Sequence, residues 1–326
     1  MPSSVRAYAK INVGLYIGTA RADGFHQLST IYRTIDMHDV VRVTASAGTG
    51  IEIRCKNPQV PQDESNTCWR VAERVLRALK QRRRVVIQIE KNLPVQGGLG
   101  AGSSNAVATM LALERELGKP LPAEDKLSIA VETGSDVPLF LIGGAVLGLG
   151  HGEQVFPLAE PPLMHLVVAT PNVGISTPKA FADWDSLTAN ERTALTPAAS
   201  ASRIDVFSRS MFAWLAGSLS GVPVKDRDRA ETPLLDLVRA GIENDFERVV
   251  FPQYPELREV KRVLEREGAR YASLSGSGSA LYGIFDTAEA AEKAAGALKT
   301  QGIEARATNS LSREQYWKNL VISVSK

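Results

Sequence analysis

A glycine-rich segment holds the residues of this sequence that are best suited to bind phosphate. Residues 93–105 read LPVQGGLGAGSSN, with four glycines in six residues. Glycine lets backbone N–H groups turn inward towards a ligand, and a helix that begins there adds free donors and a partial positive charge. Ser103 and Ser104 add hydroxyls and are good helix N-caps. The segment predicts a phosphate-binding loop; the alternatives are a loop that needs only flexibility and a plain helix cap.

This loop lacks two common phosphate-binding signatures. The sequence G-x-x-x-x-G-K-[ST] is absent, which excludes the P-loop, and residue 103 is not glycine, which excludes the dinucleotide fingerprint. Because the P-loop lysine is missing, a catalytic cation has to come from another segment.

Lys10 is the candidate for that cation. It lies in the apolar stretch AYAKINV at 7–13, which is typical of a strand, and alternation places Tyr8, Lys10 and Asn12 on one face. A buried lysine is costly without a partner. The alternative is a lysine whose stem covers apolar surface while its amine reaches solvent.

Asp136 is the candidate partner of Lys10. It lies in TGSDVPLF at 133–140, where Pro138 predicts the first turn of a helix. A carboxylate at that place stays ionised through the helix dipole and any nearby lysine, so it suits a group that orients a hydroxyl and accepts its proton. The alternative is an ordinary N-cap.

A further segment, RADGFH at 21–26, has two interpretations. It is either a hairpin turn followed by core residues, or a recognition element. In the second case Phe25 and His26 would stack on and hydrogen-bond to a flat heterocycle.

The elements that position these residues are mixed strands and helices without strict alternation, which favours an α+β fold. A cluster of prolines predicts a domain boundary near 158–162, and residues 185–232 form a poorly patterned insert. Strands are predicted at 5–18, 28–44, 85–90, on both sides of 150–152, and at 163–170, 280–285 and 303–308; helices are predicted at 66–80 with Asn66 as N-cap, 104–117, 124–133, 233–250, 255–267 and 288–299.

Composition narrows the class of protein. A chain of 326 residues suggests two domains. With 38 basic and 36 acidic residues, the net charge of +2 argues against a nucleic-acid partner, which the basic run at 80–84 would otherwise suggest. The two cysteines favour a reducing compartment. No apolar run is long enough to cross a membrane, and residues 10–22 only faintly outline a signal peptide, so we expect a cytoplasmic protein without a membrane partner.

Together these segments resemble the GHMP kinases, and the pair AKIN at 9–12 and RADGFH resembles the members that act on a cytidine diphosphate substrate. The other matching segments follow in the family's order from residue 7 to about 286. They are the glycine-rich loop, GSDVPLF at 134–140, STP at 176–178 with Phe181, and ENDF at 243–246 with LSGSG at 274–278.

The resemblance implies a two-domain α+β fold with the active site between the domains. Residues 1–160 would form the ATP-binding domain, and residues 161–326 a ferredoxin-like C-terminal domain that carries the insert at about 185–232. The implied reaction moves the γ-phosphate of ATP, with Mg²⁺, to the 2-hydroxyl of 4-diphosphocytidyl-2-C-methyl-D-erythritol in the non-mevalonate isoprenoid pathway. The chain would act as a monomer or homodimer, and no residue is assigned as a metal ligand.

The resemblance also implies roles for individual residues. Asp136 would take the hydroxyl proton and Lys10 would stabilise its negative form. The residues implied at the substrate are Phe25 and Phe181 around the cytosine, His26 as its hydrogen-bond partner, and Asn12 and Thr177 on the rest. The residues implied at ATP are Asn66, Lys91, Pro94, Gly97, Gly98, Leu99, Gly100, Ala101, Gly102, Ser103 and Ser104.

Three positions depart from the family's usual pattern. Phe25 stands where Tyr is common, Gln96 where the residue is small, and Ala101 where it is glycine.

Two other functions stay open: another small-molecule kinase of the GHMP superfamily, of the homoserine or mevalonate type, and a GHMP-fold ligand sensor without catalysis. The presence of both Lys10 and Asp136 argues against the sensor.

Overall fold

Two sheets with helices packed on them make up the protein, in a computed structural model that describes residues 2–190 and 242–322. The expected α+β class is confirmed. The first sheet contains β1 (Ser3–Ala20), β2 (His26–Ser46), β3 (Ile51–Cys55), β4 (Arg84–Glu90), β5 (Ala145–Leu149), β6 (Gln154–Pro157) and β11 (Val321–Ile322), and the second contains β7 (His165–Ala169), β8 (Tyr271–Leu274), β9 (Leu281–Phe285) and β10 (Ala305–Asn309).

Five of the helices described for residues 2–190 and 242–322 agree with predicted ones over most of their length, whereas those at Thr177–Asn190 and Arg313–Leu320 were not predicted. Asn66 is the N-cap of the first helix, as its sequence predicts, and accepts a hydrogen bond from the Cys68 N–H. The helices are α1 (Thr67–Ala78), α2 (Ala101–Leu117), α3 (Ala123–Thr133), α4 (Thr177–Asn190), α5 (Glu247–Gln253), α6 (Pro255–Arg266), α7 (Ala288–Thr300) and α8 (Arg313–Leu320), with a 3₁₀ helix at Pro138–Leu141.

The long strand β2 organises the first sheet. The strand order is β11-β1-β2-β4-β3. The C-terminal half of β2 pairs with β4, and its N-terminal half pairs with β5, which in turn pairs with β6. In the antiparallel ladder between β1 and β2, Lys10 pairs with Thr34 and Asn12 with Tyr32. This register brings polar side chains of two strands together in the middle of a buried sheet.

The second sheet has the strand order β10-β7-β9-β8, with antiparallel neighbours. Numbered along the chain from β7, this order is 4-1-3-2, which is the ferredoxin-like arrangement and the one that the resemblance implies. The turn between β8 and β9 is the second glycine-rich segment, and it points towards the first sheet.

The C-terminal segment returns to the first sheet, which the sequence analysis did not predict. Helix α8 packs there, and the Tyr316 hydroxyl donates to the Phe140 carbonyl at 2.7 Å. Strand β11 then pairs with β1. The division of the chain at residue 160 stays a prediction.

The start of α2 differs from the prediction. The helix begins at Ala101 and not at 104, because Gly100 takes the left-handed conformation (φ 69°) directly before it. Ser103 and Ser104 therefore lie in the first helical turn, and neither is the N-cap. Asp136 also caps no α-helix, since the residues from Pro138 form only a short 3₁₀ helix.

Two predicted boundaries near the insert also differ. Residues up to Asn190 belong to α4, where the insert was expected from 185; residues 191–232 lie outside the described residues. Of the helix expected at 233–250, residues 233–241 lie outside the described residues, residues 242–246 are not helical, and α5 begins at Glu247. Asn244 is not helical because it bridges to Leu15 of β1, and its amide donates to the Leu274 and Gly276 carbonyls, both at 2.8 Å.

A buried polar cluster fixes the strand-to-loop connection that leads to the glycine-rich loop. The carboxylate of Asp39, at the middle of β2, is fully buried and accepts hydrogen bonds from four donors. They are Lys91 Nζ at 2.8 Å, the N–H groups of Asn92 at 2.7 Å and Leu93 at 2.8 Å, and Asn105 Nδ2 of α2 at 3.1 Å. Asp39 thereby joins β2, the end of β4 and α2.

Replacing Asp39 should therefore destabilise the fold. In Asp39→Asn the buried Lys91 ammonium loses its counter-charge, and we expect the free energy of unfolding to fall by about 3–5 kcal/mol, as for other broken buried ion pairs. Urea denaturation measures the change. The control is Glu52→Gln, which removes the exposed ion pairs with Arg54 and Arg84 and should change stability little. Equal effects of the two substitutions would contradict this role of Asp39.

Candidate active site

Lys10 and Asp136, which are far apart in the sequence, form an ion pair in the structure. Lys10 Nζ lies 3.2 Å from Asp136 Oδ2. The lysine side chain is 3% exposed and the aspartate side chain 31% exposed. The ammonium is thus buried with a counter-charge, while the carboxylate still reaches the cavity beside it.

A chain of hydrogen bonds holds the Lys10 side chain in place. Lys10 Nζ donates to Asn12 Oδ1 at 2.6 Å, and Asn12 Nδ2 donates to Thr30 Oγ1 at 2.9 Å. Thr30 in turn donates to the Gly14 carbonyl at 2.7 Å. Tyr8, predicted on the same face, contacts His38 and Tyr316 instead. The pair of Lys10 and Asn12 is therefore the polar part of that face.

Tyr32 is a further partner of Asp136 that the sequence analysis missed. Its hydroxyl donates to Asp136 Oδ1 at 3.0 Å, so each carboxylate oxygen has a different partner. Burial, and next the negative charge of Asp136, raise the pKa of Tyr32 well above its usual range. The phenol therefore keeps its proton and stays a donor. Only the register of β1 against β2 could have indicated this contact.

The glycine-rich loop packs directly against Lys10 and against the second glycine-rich turn. The Lys10 N–H donates to the Leu99 carbonyl at 3.0 Å. A side chain at Gly100 would lie 3.0 Å from Lys10 Cγ, and one at Gly98 (φ 75°) would overlap the Ser275 carbonyl. Ser275 Oγ also donates to the Gly98 carbonyl at 3.0 Å. Glycine is needed at Gly98 because the backbone of Ser275 approaches closely, and at Gly100 because the side chains of Phe140 and Lys10 do.

A cavity of about 360 Å³ lies over this loop and is lined by most of the predicted nucleotide-binding residues. Ser104 does not line it, since its side chain is buried in α2. The predicted residues that do line it are Asn66, Lys91, Pro94, Gly97, Gly98, Leu99, Gly100, Ala101, Gly102 and Ser103.

Asn66 and Lys91 have local partners in this cavity. Asn66 caps α1 and donates to the Pro61 carbonyl at 2.6 Å. Lys91 Nζ contacts Asp39 and the Leu93 carbonyl. These contacts explain why both side chains are ordered, and their contact with a nucleotide stays a prediction.

A second cavity, of about 570 Å³, is lined by every predicted catalytic and substrate-binding residue. It shares only Gly98 and Gly100 with the first cavity, so the two meet beside Lys10. The predicted residues on its wall are Lys10, Asn12, Phe25, His26, Asp136, Thr177 and Phe181. Two ligands in these cavities would approach each other at Gly98 and Gly100.

The aromatic wall of this second cavity is made of two stacked pairs. Phe181 stacks on His26 with ring centroids 5.2 Å apart, and Phe25 stacks on His151 at 4.8 Å. His26 Nε2 lies 2.7 Å from Asp185 Oδ1. His151 and Asp185 were missed by the sequence analysis, and the sandwich of a cytosine between Phe25 and Phe181 stays a prediction.

Residues 2–190 and 242–322 contain neither a cluster of metal-binding side chains nor a helix that could span a membrane. No group of three or more His, Cys, Asp or Glu side chains is placed to hold a metal ion there. None of the helices described for these residues is both long and apolar enough to span a membrane.

Comparison with known proteins places these features in a family. Residues 66–144 match the model of the GHMP kinases N terminal domain, and residues 229–304 match that of the GHMP kinases C terminal domain. A 4-diphosphocytidyl-2-C-methyl-D-erythritol kinase of Solibacter usitatus (strain Ellin6076) is 38% identical over 283 residues, which are 86% of this chain and 80% of the relative. The enzyme of the same name from Chlorobium luteolum (strain DSM 273 / BCRC 81028 / 2530) is 36% identical over 90% of this chain and 93% of its own length.

Solved structures agree with these relatives. A crystal structure of 4-(cytidine 5'-diphospho)-2C-methyl-D-erythritol kinase is similar with a TM-score of 0.71 and 28% identity, and the similarity covers 94% of this chain and 98% of that one. A mevalonate kinase of L. major, in complex with R-mevalonate, has a TM-score of 0.68 at 16% identity over 95% and 96% of the two chains, which shows only a shared fold. The chain therefore belongs to the 4-diphosphocytidyl-2-C-methyl-D-erythritol kinases, within the GHMP kinase superfamily.

Proposed function

We propose that this chain transfers the γ-phosphate of ATP to the 2-hydroxyl of 4-diphosphocytidyl-2-C-methyl-D-erythritol, with Asp136 as the base. One observation carries the assignment of residues: the ion pair of Lys10 and Asp136 lies where the two cavities meet. Family membership makes the chain an ATP-dependent kinase of isoprenoid biosynthesis. The contact between Lys10 and Asp136 supports the proposed positions of the reacting groups.

The phosphates of ATP would lie on the glycine-rich loop. The N–H groups of Ala101, Gly102 and Ser103, in the first turn of α2, have no carbonyl partner within the helix, and the helix dipole adds positive potential there. Such fixed donors neutralise the charge that moves in phosphoryl transfer. We expect Mg²⁺ to arrive with ATP and to be held mainly by phosphate oxygens and water.

The acceptor hydroxyl would lie beside Asp136. Its oxygen attacks the γ-phosphorus, the bond from that phosphorus to the β–γ bridging oxygen breaks, ADP leaves, and the hydroxyl proton passes to Asp136. Lys10 and Tyr32 hold the two carboxylate oxygens from the protein side. A proton acceptor oriented in this way needs no rearrangement when substrate arrives.

The cytosine would be recognised at the aromatic wall by Phe25, His26 and Phe181. If His26 Nε2 donates its proton to Asp185, Nδ1 is left as an acceptor for the exocyclic amine of a cytosine. Asn12 and Thr177 would hold the remainder of the substrate. A flat heterocycle suits this wall, whereas homoserine and mevalonate carry no ring that would use it.

The first experiment measures ADP release from Mg-ATP with four acceptors: 4-diphosphocytidyl-2-C-methyl-D-erythritol, homoserine, mevalonate and phosphomevalonate. We expect turnover with the first only. Turnover with another acceptor would overturn the cytosine pocket, and ATP binding without turnover would favour a sensor. A cytoplasmic location and a monomeric or homodimeric state stay predictions.

Replacing the proposed base should abolish most of the activity. In Asp136→Asn we expect kcat to fall by more than about 100-fold, as loss of a general base predicts, while the KM for ATP changes little. Asp125→Asn, an exposed acid in the first turn of α3, is the matched control and should retain wild-type kcat. An Asp136→Asn enzyme with nearly normal kcat would show that another group accepts the proton.

Removing the Tyr32 hydroxyl should lower kcat with little effect on either KM. We expect about a 10-fold loss in Tyr32→Phe, the kinetic equivalent of one hydrogen bond to a charged group. Because burial raises the pKa of Tyr32, its phenol stays protonated, so the ratio of mutant to wild-type kcat should be constant from about pH 7 to 9.

The control for this substitution is Tyr254→Phe, since Tyr254 lies between α5 and α6 and lines neither of the two cavities. It should leave kcat unchanged. A ratio for Tyr32→Phe that rises towards 1 at high pH would mean that the wild-type phenol ionises, and would contradict its role as a permanent donor.

A further inference from the structure

A histidine outside the predicted set lies in the wall of the substrate cavity. His151 is in the turn between β5 and β6 and lines this cavity together with Phe25, Ser135 and Asp136. Its ring stacks on the Phe25 ring, with an angle of 27° between their planes. Its Nδ1 lies 2.7 Å from Ser135 Oγ, one residue before Asp136. His151 thus contacts Phe25 on one side and Ser135, the neighbour of the proposed base, on the other.

The His151 ring is held so that one nitrogen is left free. Glu153 Oε2 accepts from the His151 N–H at 2.6 Å and lies 3.4 Å from Nδ1. Nε2 has no hydrogen-bond partner within residues 2–190 and 242–322. In the neutral ring, when the Ser135 hydroxyl donates to Nδ1, the ring proton is on Nε2; in the charged ring both nitrogens carry a proton and Nδ1 donates instead. Nε2 is a donor in both of these states.

The other basic side chains on this wall already have acidic partners. Lys10 pairs with Asp136, and His26 pairs with Asp185. The substrate of the proposed function carries a diphosphate between its cytidine and its methylerythritol. With cytosine at the aromatic wall and the hydroxyl at Asp136, this diphosphate has to pass between them, which is where His151 lies.

We propose that His151 binds the diphosphate of the substrate through Nε2 and so selects a nucleoside diphosphate over an uncharged nucleoside. This inference rests on the proposed function, because the proposed positions of cytosine and hydroxyl determine where the diphosphate passes. It assigns a second role to the turn at 150–152, which otherwise only connects two strands. Stacking also makes a competing explanation possible, in which His151 merely supports the half-exposed Phe25.

Two substitutions separate these explanations. His151→Phe keeps an aromatic ring against Phe25 and removes the Nε2 donor, whereas His151→Ala removes both. Binding of CDP and of cytidine is measured by calorimetry in saturating ADP, so that the ATP cavity is filled. We expect wild type to prefer CDP, and both variants to bind CDP about 10-fold more weakly. His151→Phe should bind cytidine as wild type does, within about twofold.

Steady-state kinetics give an independent readout. In His151→Phe the KM for the cytidine diphosphate substrate should rise about 10-fold, while kcat and the KM for ATP stay within about twofold. Thermal unfolding confirms that both variants are folded.

The inference is overturned if His151→Phe binds CDP as wild type does, or if His151→Ala weakens CDP and cytidine by the same factor. Either of these results would leave the proposed function intact. A wild-type enzyme that binds neither ligand would overturn the cytosine pocket and this inference together.

Discussion

The site depends on one electrostatic constraint: an ammonium buried in a sheet has to be neutralised. Lys10 lies inside β1 with 3% of its side chain exposed, so its charge requires an acid within reach. Asp136 is that acid, and it comes from outside the sheet, from the short segment between α3 and the 3₁₀ helix. A pairing that stabilises the fold therefore also positions an ionised carboxylate at the edge of a cavity. The contact between Lys10 Nζ and Asp136 Oδ2 therefore both neutralises the buried ammonium and holds a carboxylate beside the cavity.

The second requirement is the register between β1 and β2. Because Asn12 pairs with Tyr32 across the two strands, the partner of Lys10 Nζ and the partner of Asp136 Oδ1 belong to one cross-strand pair. A slip of one residue would turn these side chains to the other face of the sheet. The same strand carries Asp39, which fixes the start of the glycine-rich loop through Lys91. Strand β2 thus contacts Asp136 through Tyr32 and the residues that precede the glycine-rich loop through Asp39.

The sequence was sufficient for features that are encoded locally. The spacing of apolar residues and Asn66 predicted α1, and the mixture of strands and helices without strict alternation predicted the α+β fold. A shared site for Lys10 and Asp136 was implied only by the resemblance to the GHMP kinases. It was insufficient for contacts that depend on register or on a distant turn, which is why Tyr32 and His151 were missed. Helix α8 was missed although its start carries a local signal, the capping box between Ser312 and Gln315. The early start of α2 depends on a left-handed glycine, where the prediction placed a serine cap.

The two glycine-rich turns explain why the two cavities communicate. The loop before α2 and the turn between β8 and β9 are joined by hydrogen bonds from Ser275 Oγ to the Gly98 carbonyl and from the Ala280 N–H to the Gly97 carbonyl. Backbone from the first sheet and backbone from the second therefore touch without intervening side chains. Any larger residue at Gly98 would force them apart and would separate the loop from Lys10. This close packing separates the two cavities everywhere except at Gly98 and Gly100, the two residues that line both of them.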